Sequence, residues 1–239
     1  MTDAFLLKLR ARDIVSDEEE SAIRGLFSEV REVPSDKTLI RAGDRLTVSL
    51  LLLDGLLCRY KDLRDGSRQI SELHVAGDFA DLHSFTLKRL DHSVMTLTRC
   101  RIAVAPHERI KAVTTEYPHV ARLLWLSTNI DAAIHREWVL SLGRRTALSR
   151  VAHLFCELRE RLATVGLADE TGFALALTQT DLAECMGLTA VHVNRTLREL
   201  RERGLVEFRS RRVTIHDLAG LKRVAEFDPG YLSLEPEPR

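Results

Sequence analysis

Residues Leu177 to Val206 read LTQTDLAECMGLTAVHVNRTLRELRERGLV, and the parsing of this stretch decides the fold. Thr178 is placed to cap a helix whose first turn holds Asp181, with Leu182, Ala183 and Met186 on its buried side, and Gly187 suits the left-handed turn that ends it. Thr189 caps a second helix directly afterwards. On that helix Val193, Leu197 and Leu200 fall on one side, toward a core, while Ala190, Val191, Asn194, Arg195 and Arg198 fall on the other. Two short helices joined through a glycine form a helix-turn-helix, whose second helix can enter a DNA major groove with its N-terminal residues at the base edges. The outer face carries the matching chemistry: Arg pairs bidentately with guanine, Asn with adenine, and a small apolar side chain meets a thymine methyl. The expected contact set is therefore Thr178, Thr189, Ala190, Val191, His192, Asn194, Arg195 and Arg198.

Working outward toward the C-terminus, Gly204 ends the second helix. Leu205 to Phe208 and Arg212 to His216 then alternate around Ser210-Arg211 as a hairpin, a wing whose Arg211 and Arg212 would meet phosphates and fix register without reading sequence. Asp217 caps a closing helix through Leu218, Leu221 and Val224. Working back, Gly143 with Arg144-Arg145 marks a hinge, Leu148 to Leu162 carry one apolar helix face, and Gly166 to Gly172 reads as a polar connector. Pro118 opens a long helix to about Leu142. Its stripe of Val120, Leu123, Leu124, Leu126, Ile130, Ile134, Trp138 and Leu140 either packs on its own domain or forms a dimer seam, and its breadth favours the seam.

Before Pro106 the texture is different. Ser16 and Glu19 make a capping-box pattern for a helix through Ala22, Ile23, Leu26, Phe27 and Val30, stopped by Pro34. Short β-branched runs follow, punctuated by Ala42-Gly43-Asp44, Asp54-Gly55, Asp65-Gly66-Ser67 and Gly77-Asp78, as in a small antiparallel β-roll or barrel. The resulting fold class is α+β: residues 1–117 a β-roll sensor-type domain with an N-terminal helix, 118–142 a dimerisation helix and hinge, and 143–239 a winged helix-turn-helix DNA-binding domain.

Lys and Arg number 35 and Asp and Glu 35, so the formal net charge is zero, yet the run from Arg195 to Arg212 is strongly basic and Ser16 to Glu32 acidic. No apolar run is long enough to cross a bilayer and no signal peptide is recognisable, which makes a cytoplasmic location the expectation. Cys58, Cys100, Cys156 and Cys185 are widely spaced and read as free thiols. Cys185, one turn from the second helix, would be a redox switch if its thiolate were exposed beside the basic face; otherwise it is a small core residue. No P-loop, Gly-rich dinucleotide turn, HExxH or nucleophile elbow is present, which argues against an enzyme. The competing reading is a ligand-binding signalling module whose helical tail binds a protein, to be told apart by the steep salt dependence of DNA binding.

These elements together resemble the CRP/FNR family of transcription regulators over nearly the whole chain. The resemblance is carried by Gly77-Asp78-Phe79, the helix from Pro118, and Leu182-Ala183 through Gly187-Leu188-Thr189, Val193, Arg195, Leu197, Leu200 and Gly204-Leu205. It implies a cyclic-nucleotide-binding-type β-roll, a long dimerisation helix and a C-terminal winged helix-turn-helix. It also implies a homodimer on a palindromic site of double-stranded DNA, with RNA polymerase as a partner if the protein activates. The implied effector pocket falls on Leu82, His83, Ser84, His92 and Ser93. Family members that bind cyclic AMP use a glutamate and an Arg-Ser pair where this chain has Leu82 and His92-Ser93, so cyclic AMP is disfavoured. The N-terminal cysteine group of iron-sulfur members is absent, so no cluster is expected. His83, Asp91, His92 and Cys100 are possible haem or metal ligands with undiagnostic spacing, and the expectation is no metal.

Overall fold

The start of the chain folds as a helix that its sequence pattern does not announce. The computed structural model describes residues 2–238. In it α1 (Asp3–Arg10) buries Phe5, Leu6 and Leu9, and Phe5 meets Phe79 edge-on with ring centroids 5.2 Å apart. Burying side chains of that size contributes about 1.5–3 kcal/mol each. α1 also explains the Gly77-Asp78-Phe79 turn: a Cβ on Gly77, whose φ is 86°, would lie 2.8 Å from the Ala4 carbonyl oxygen, and Lys8 Nζ reaches Asp78 at 2.5 Å. The next helix, α2 (Asp17–Gly25), has the expected capping box between Ser16 and Glu19. It stops earlier than expected, because Val30 belongs to the first strand.

Chain contacts divide the protein into two units: one of residues up to Tyr60, Leu73–Ala132 and the segment from Ser233, the other of Lys61–Glu72 and Ala133–Leu232. The first is built on two antiparallel sheets. β1 (Glu29–Val33), β7 (Cys100–Pro106) and β3 (Val48–Asp54) form one, in the order β1-β7-β3, with Val30 opposite Ala103 and Leu50 opposite Val104. The other runs β2-β6-β4-β5, from β2 (Thr38–Ile40), β6 (Ser93–Thr96), β4 (Leu57–Asp62) and β5 (Arg68–His74), the end of β4 and most of β5 lying in the Lys61–Glu72 stretch counted with the second unit. Between them Leu52, Leu57, Val94, Ile102 and Val104 make one core. A second core gathers Phe5, Ile23, Leu26, Phe79 and Ile110 against α3 (Ser84–Leu87), α4 (His107–Glu116) and the first turns of the helix that opens at Pro118.

α5 (Pro118–Arg144) runs through Gly143 instead of breaking there; the break falls at Arg145, after which Thr146 caps α6 (Ala147–Ala163). Its expected seam is corrected in part. Val120, Leu123 and Leu124 enter the first unit's core, and Ile134 and Trp138 are also buried within the chain. The large apolar residues of α5 left exposed are Trp125 (69%), Val139 (60%) and Leu140 (48%).

The second unit is less purely helical than expected. β8 (Ala168–Asp169) and β9 (Gly172–Ala174) fill the supposed polar connector and join the wing in a sheet of order β10-β11-β9-β8, with β10 (Val206–Arg209) and β11 (Arg212–Ile215). The turn between β8 and β9 is tied by the Asp169 carboxylate, which accepts from the Thr171 hydroxyl at 2.6 Å and from the Thr171 and Gly172 amides. α7 (Gln179–Met186), α8 (Ala190–Glu202) and α9 (Leu218–Ala225) complete the unit with a short 3-10 turn at Pro229–Leu232. Inside it the fully buried Glu157 accepts hydrogen bonds from Trp138 Nε1 at 3.1 Å, Arg161 Nη1 at 2.8 Å and the Tyr231 hydroxyl at 3.0 Å. Three donors offset the cost of desolvating the carboxylate, whose pKa burial nonetheless pushes up.

Candidate nucleic-acid interface

The helix-turn-helix is set by its caps. The Thr178 hydroxyl accepts the Asp181 amide at 3.1 Å while the Asp181 carboxylate accepts the Thr178 amide at 2.7 Å, fixing where α7 begins. Gly187 takes the left-handed turn at φ 60°, and the Thr189 hydroxyl accepts the His192 amide at 3.2 Å to start α8. Val193, Thr196 and Leu200 are buried, which turns the opposite face of α8 outward.

On that outward face Thr189, Ala190, Val191, Asn194, Arg195 and Arg198 are exposed, Val191 at 81%, and His192 is half-buried. Arg198 is paired with Glu202 at 2.7 Å, whereas Arg195 makes no ion pair among the described residues and is free to reach a base. Asn194 Nδ2 donates to Gln179 Oε1 at 3.1 Å. Gln179 was missing from the sequence-based set; its position as the first residue of α7, just after the cap, was the available signal.

The wing turn takes an unfavourable route. Ser210 and Arg211, the two residues between Arg209 and Arg212, have φ of 50° and 59°, a conformation that favours Asn-Gly, yet this turn is built without glycine. The arrangement holds the exposed Arg211 and Arg212 at the tip, the positions expected to face phosphates. Thr178, also exposed, lies at the N-terminus of α7, where backbone amides attract anions.

Cys185 is fully buried, as are Cys58, Cys100 and Cys156. The exposed thiolate that a redox switch requires is thus absent, and the small-core-residue reading holds.

In the first unit the expected effector residues are only partly assembled. His83 and His92 are neighbours, ring centroids 5.4 Å apart, and burial lowers both, His83 to about 4, so neither carries charge at neutral pH. Leu82 is buried and apolar. Ser84 instead joins a buried network with Asp81, Ser49 and His107, and the Ser93 hydroxyl accepts the Ala42 amide at 3.1 Å. Cys100 donates to the Leu56 carbonyl and packs in the sheet core, away from any ligand set with the histidines. Sequence reasoning missed Arg59, a guanidinium buried in an apolar strand, which donates to the Ala80 carbonyl at 2.8 Å and to Asp131 Oδ2 at 2.8 Å. Its donors face carbonyl and carboxylate, not an open anion site. Leu82 is apolar, both imidazoles are neutral and Arg59 is committed to Ala80 and Asp131, so none of these residues offers a free cation to a phosphate.

Residues 30–117 match the cyclic nucleotide-binding domain and residues 149–224 the Crp-like helix-turn-helix domain. The transcriptional activator protein FnrL of Cereibacter sphaeroides is 31% identical over 219 residues, spanning 89% of this chain and 86% of that protein. The chain belongs to the CRP/FNR family. Another CRP/FNR relative, the nitrogen fixation regulation protein FixK of Azorhizobium caulinodans, is 30% identical over 73% of this chain and 70% of its own length. The solved structure of FixK2 from Bradyrhizobium japonicum shares the CRP/FNR fold at a TM-score of 0.74 and 24% identity, covering 82% of this chain and 96% of that one. The chain is accordingly a helix-turn-helix regulator of transcription, and no helix among the described residues is long and apolar enough to cross a membrane.

Proposed function

We propose that this CRP/FNR protein acts as a homodimer that places α8 of each copy in successive major grooves of a palindromic DNA site, about 34 Å apart. Arg195 and Asn194 read base edges, Val191 contacts a thymine methyl, and Arg211 and Arg212 bind phosphates. The observation that carries this is the outward face of α8, where Arg195, without an ion pair among the described residues, stands beside exposed Val191 and Asn194 on a helix fixed at its N-terminus by Thr189. Binding proceeds without a cyclic nucleotide, since Leu82, His83 and His92 offer neither a ribose carboxylate nor a charged phosphate ligand. That FnrL is named an activator supports RNA polymerase as a further partner. The protein is a regulator without catalytic activity of its own.

Selection of binding sites from a random duplex pool, with purified protein and no added effector, tests this reading. A two-fold symmetric site whose affinity falls steeply with salt is expected. A pool that yields no symmetric site, or binding indifferent to salt, would overturn it and favour a protein-binding tail.

A further inference from the structure

The strongest unassigned feature is a cavity of about 410 Å³ beside the exposed Trp125. Its α5 wall consists of Ala121, Leu124, Trp125 and Thr128. Those four positions have a specific meaning. In a parallel pair of helices with a heptad seam, a residue at position 125 packs into a hole bounded by 121, 124, 125 and 128 of the facing helix. The heptad continues along α5: Trp125, Ala132 and Val139 recur every seven residues and are exposed, and Ala121, Thr128, His135 and Leu142 take the alternate seam positions. The residues nearest Trp125 on this seam, Ala121, Thr128 and Ala132, are all small, which leaves room for an indole.

This hole is also deeper than two helices alone would make it. Leu82, Phe85 and Thr86 from the α3 segment and Ile110 and Thr114 from α4 extend its floor. The hydroxyls of Thr86, Thr114 and Thr128 all donate to carbonyls of their own helices, which leaves the neutral His83 imidazole as the remaining polar side chain of the lining, a ring against which an aromatic occupant can pack.

We infer that this cavity is the socket for Trp125 of a second copy of this chain, so that two indoles are exchanged reciprocally across the dimer two-fold axis. The inference rests on the homodimer proposed above and adds to it the anchoring residue. An isologous contact supplies every knob with an identical hole, which is why one surface can carry both halves of the fit. An aromatic side chain buries about 150–250 Å² when enclosed, and a buried tryptophan at an interface centre is a characteristic binding hot spot. Because Leu82 and Phe85 belong to the segment that follows the Gly77-Asp78-Phe79 turn, dimer affinity would respond to any change in that turn.

The test compares full-length wild type with Trp125→Ala, Thr114→Phe and Val139→Asp by sedimentation equilibrium, alongside iodide quenching of Trp125. Trp125 emission is isolated as the difference between wild type and Trp125→Phe, because Trp138 is buried. The expected result is a wild-type dimer, a dissociation constant raised at least tenfold by Trp125→Ala and by Thr114→Phe, and Trp125 shielded from iodide at dimer concentrations. If Val139→Asp dissociates the dimer while Trp125→Ala and Thr114→Phe leave it intact, or if Trp125 stays open to iodide, the socket is overturned and the α5 dimer stands. A wild type that remains monomeric even on its selected DNA site removes the dimer and the socket together.

Discussion

Arg195 and Arg211 sit on the same unit and carry the same charge, but their surroundings differ, and the roles proposed for them differ with them. Arg195 projects from the second turn of α8 with no competing carboxylate, so Arg195→Ala should cost about 1–3 kcal/mol on the selected site and relax preference at one base pair. Arg211 sits at the tip of a hairpin, and Arg211→Ala should weaken all duplexes alike and lower the salt slope by about 1. Binding measured on the preferred and a scrambled duplex across a salt series separates the two. His153 offers a third test at this scale. It stacks on Tyr231 with its ring plane 18° away, Arg145 lies near, and Glu137, which approaches its Nε2 at 3.3 Å, is engaged by Arg145. Burial lowers its pKa to about 3, so between about 3 and 6.5 the unfolded chain binds a proton that the folded chain refuses. Stability supplied by the neutral ring is therefore present above 6.5 and lost as pH falls, by about 2 kcal/mol between pH 7 and 5 for this one group. The raised Glu157 acts in the opposite sense, losing stability as pH rises, so the quantity to measure is the difference in denaturation midpoint between wild type and His153→Phe across that range. The variant should show the shallower acid loss.

Among the elements, the wing sheet is where a single atom matters most. Gly172, with φ 134°, lies so close to β11 that an added Cβ would come 1.9 Å from the Val213 carbonyl oxygen. Gly172→Ala should then cost roughly 2–4 kcal/mol and loosen the wing. Chemical denaturation should report that loss, and DNA affinity should drop with it. The helix-turn-helix itself is legible in the amino-acid sequence, since Thr178, Gly187, Thr189 and Gly204 mark every boundary with residues whose local hydrogen bonding or backbone freedom requires them there. β8 and β9 are not legible, because strands of two and three residues carry no periodicity; the Asp169-Glu170-Thr171-Gly172 turn is the only mark they leave. α1 escapes for a similar reason, its apolar positions being too few to distinguish a helix from a loop. Arg59 and Glu157 are hidden as polar residues inside apolar patterns, where the fold supplies partners from distant segments. The α5 stripe is visible in the sequence, but its Val120, Leu123, Leu124, Ile134 and Trp138 are buried within the chain, since hydrophobicity counts buried and exposed apolar positions alike.

At the scale of the whole chain, the zero net charge conceals a division of labour. The acidic carboxylates concentrate near α2 and the free arginines near α8 and the wing, so DNA attraction is local and does not depend on a basic protein overall. α5 is one unbroken helix whose first half contributes to the first unit's core and whose last turns belong to the second. A continuous helix is also a protractor. Each residue added advances it by about 1.5 Å and turns it by about 100°. One alanine inserted after Ala132 should therefore leave both units folded yet abolish binding to the selected palindrome. Seven inserted residues, which return the helix almost to its starting phase, should restore part of that binding. Such a periodic response would mean that DNA binding depends on the phase of this helix, read in turns and not in residues.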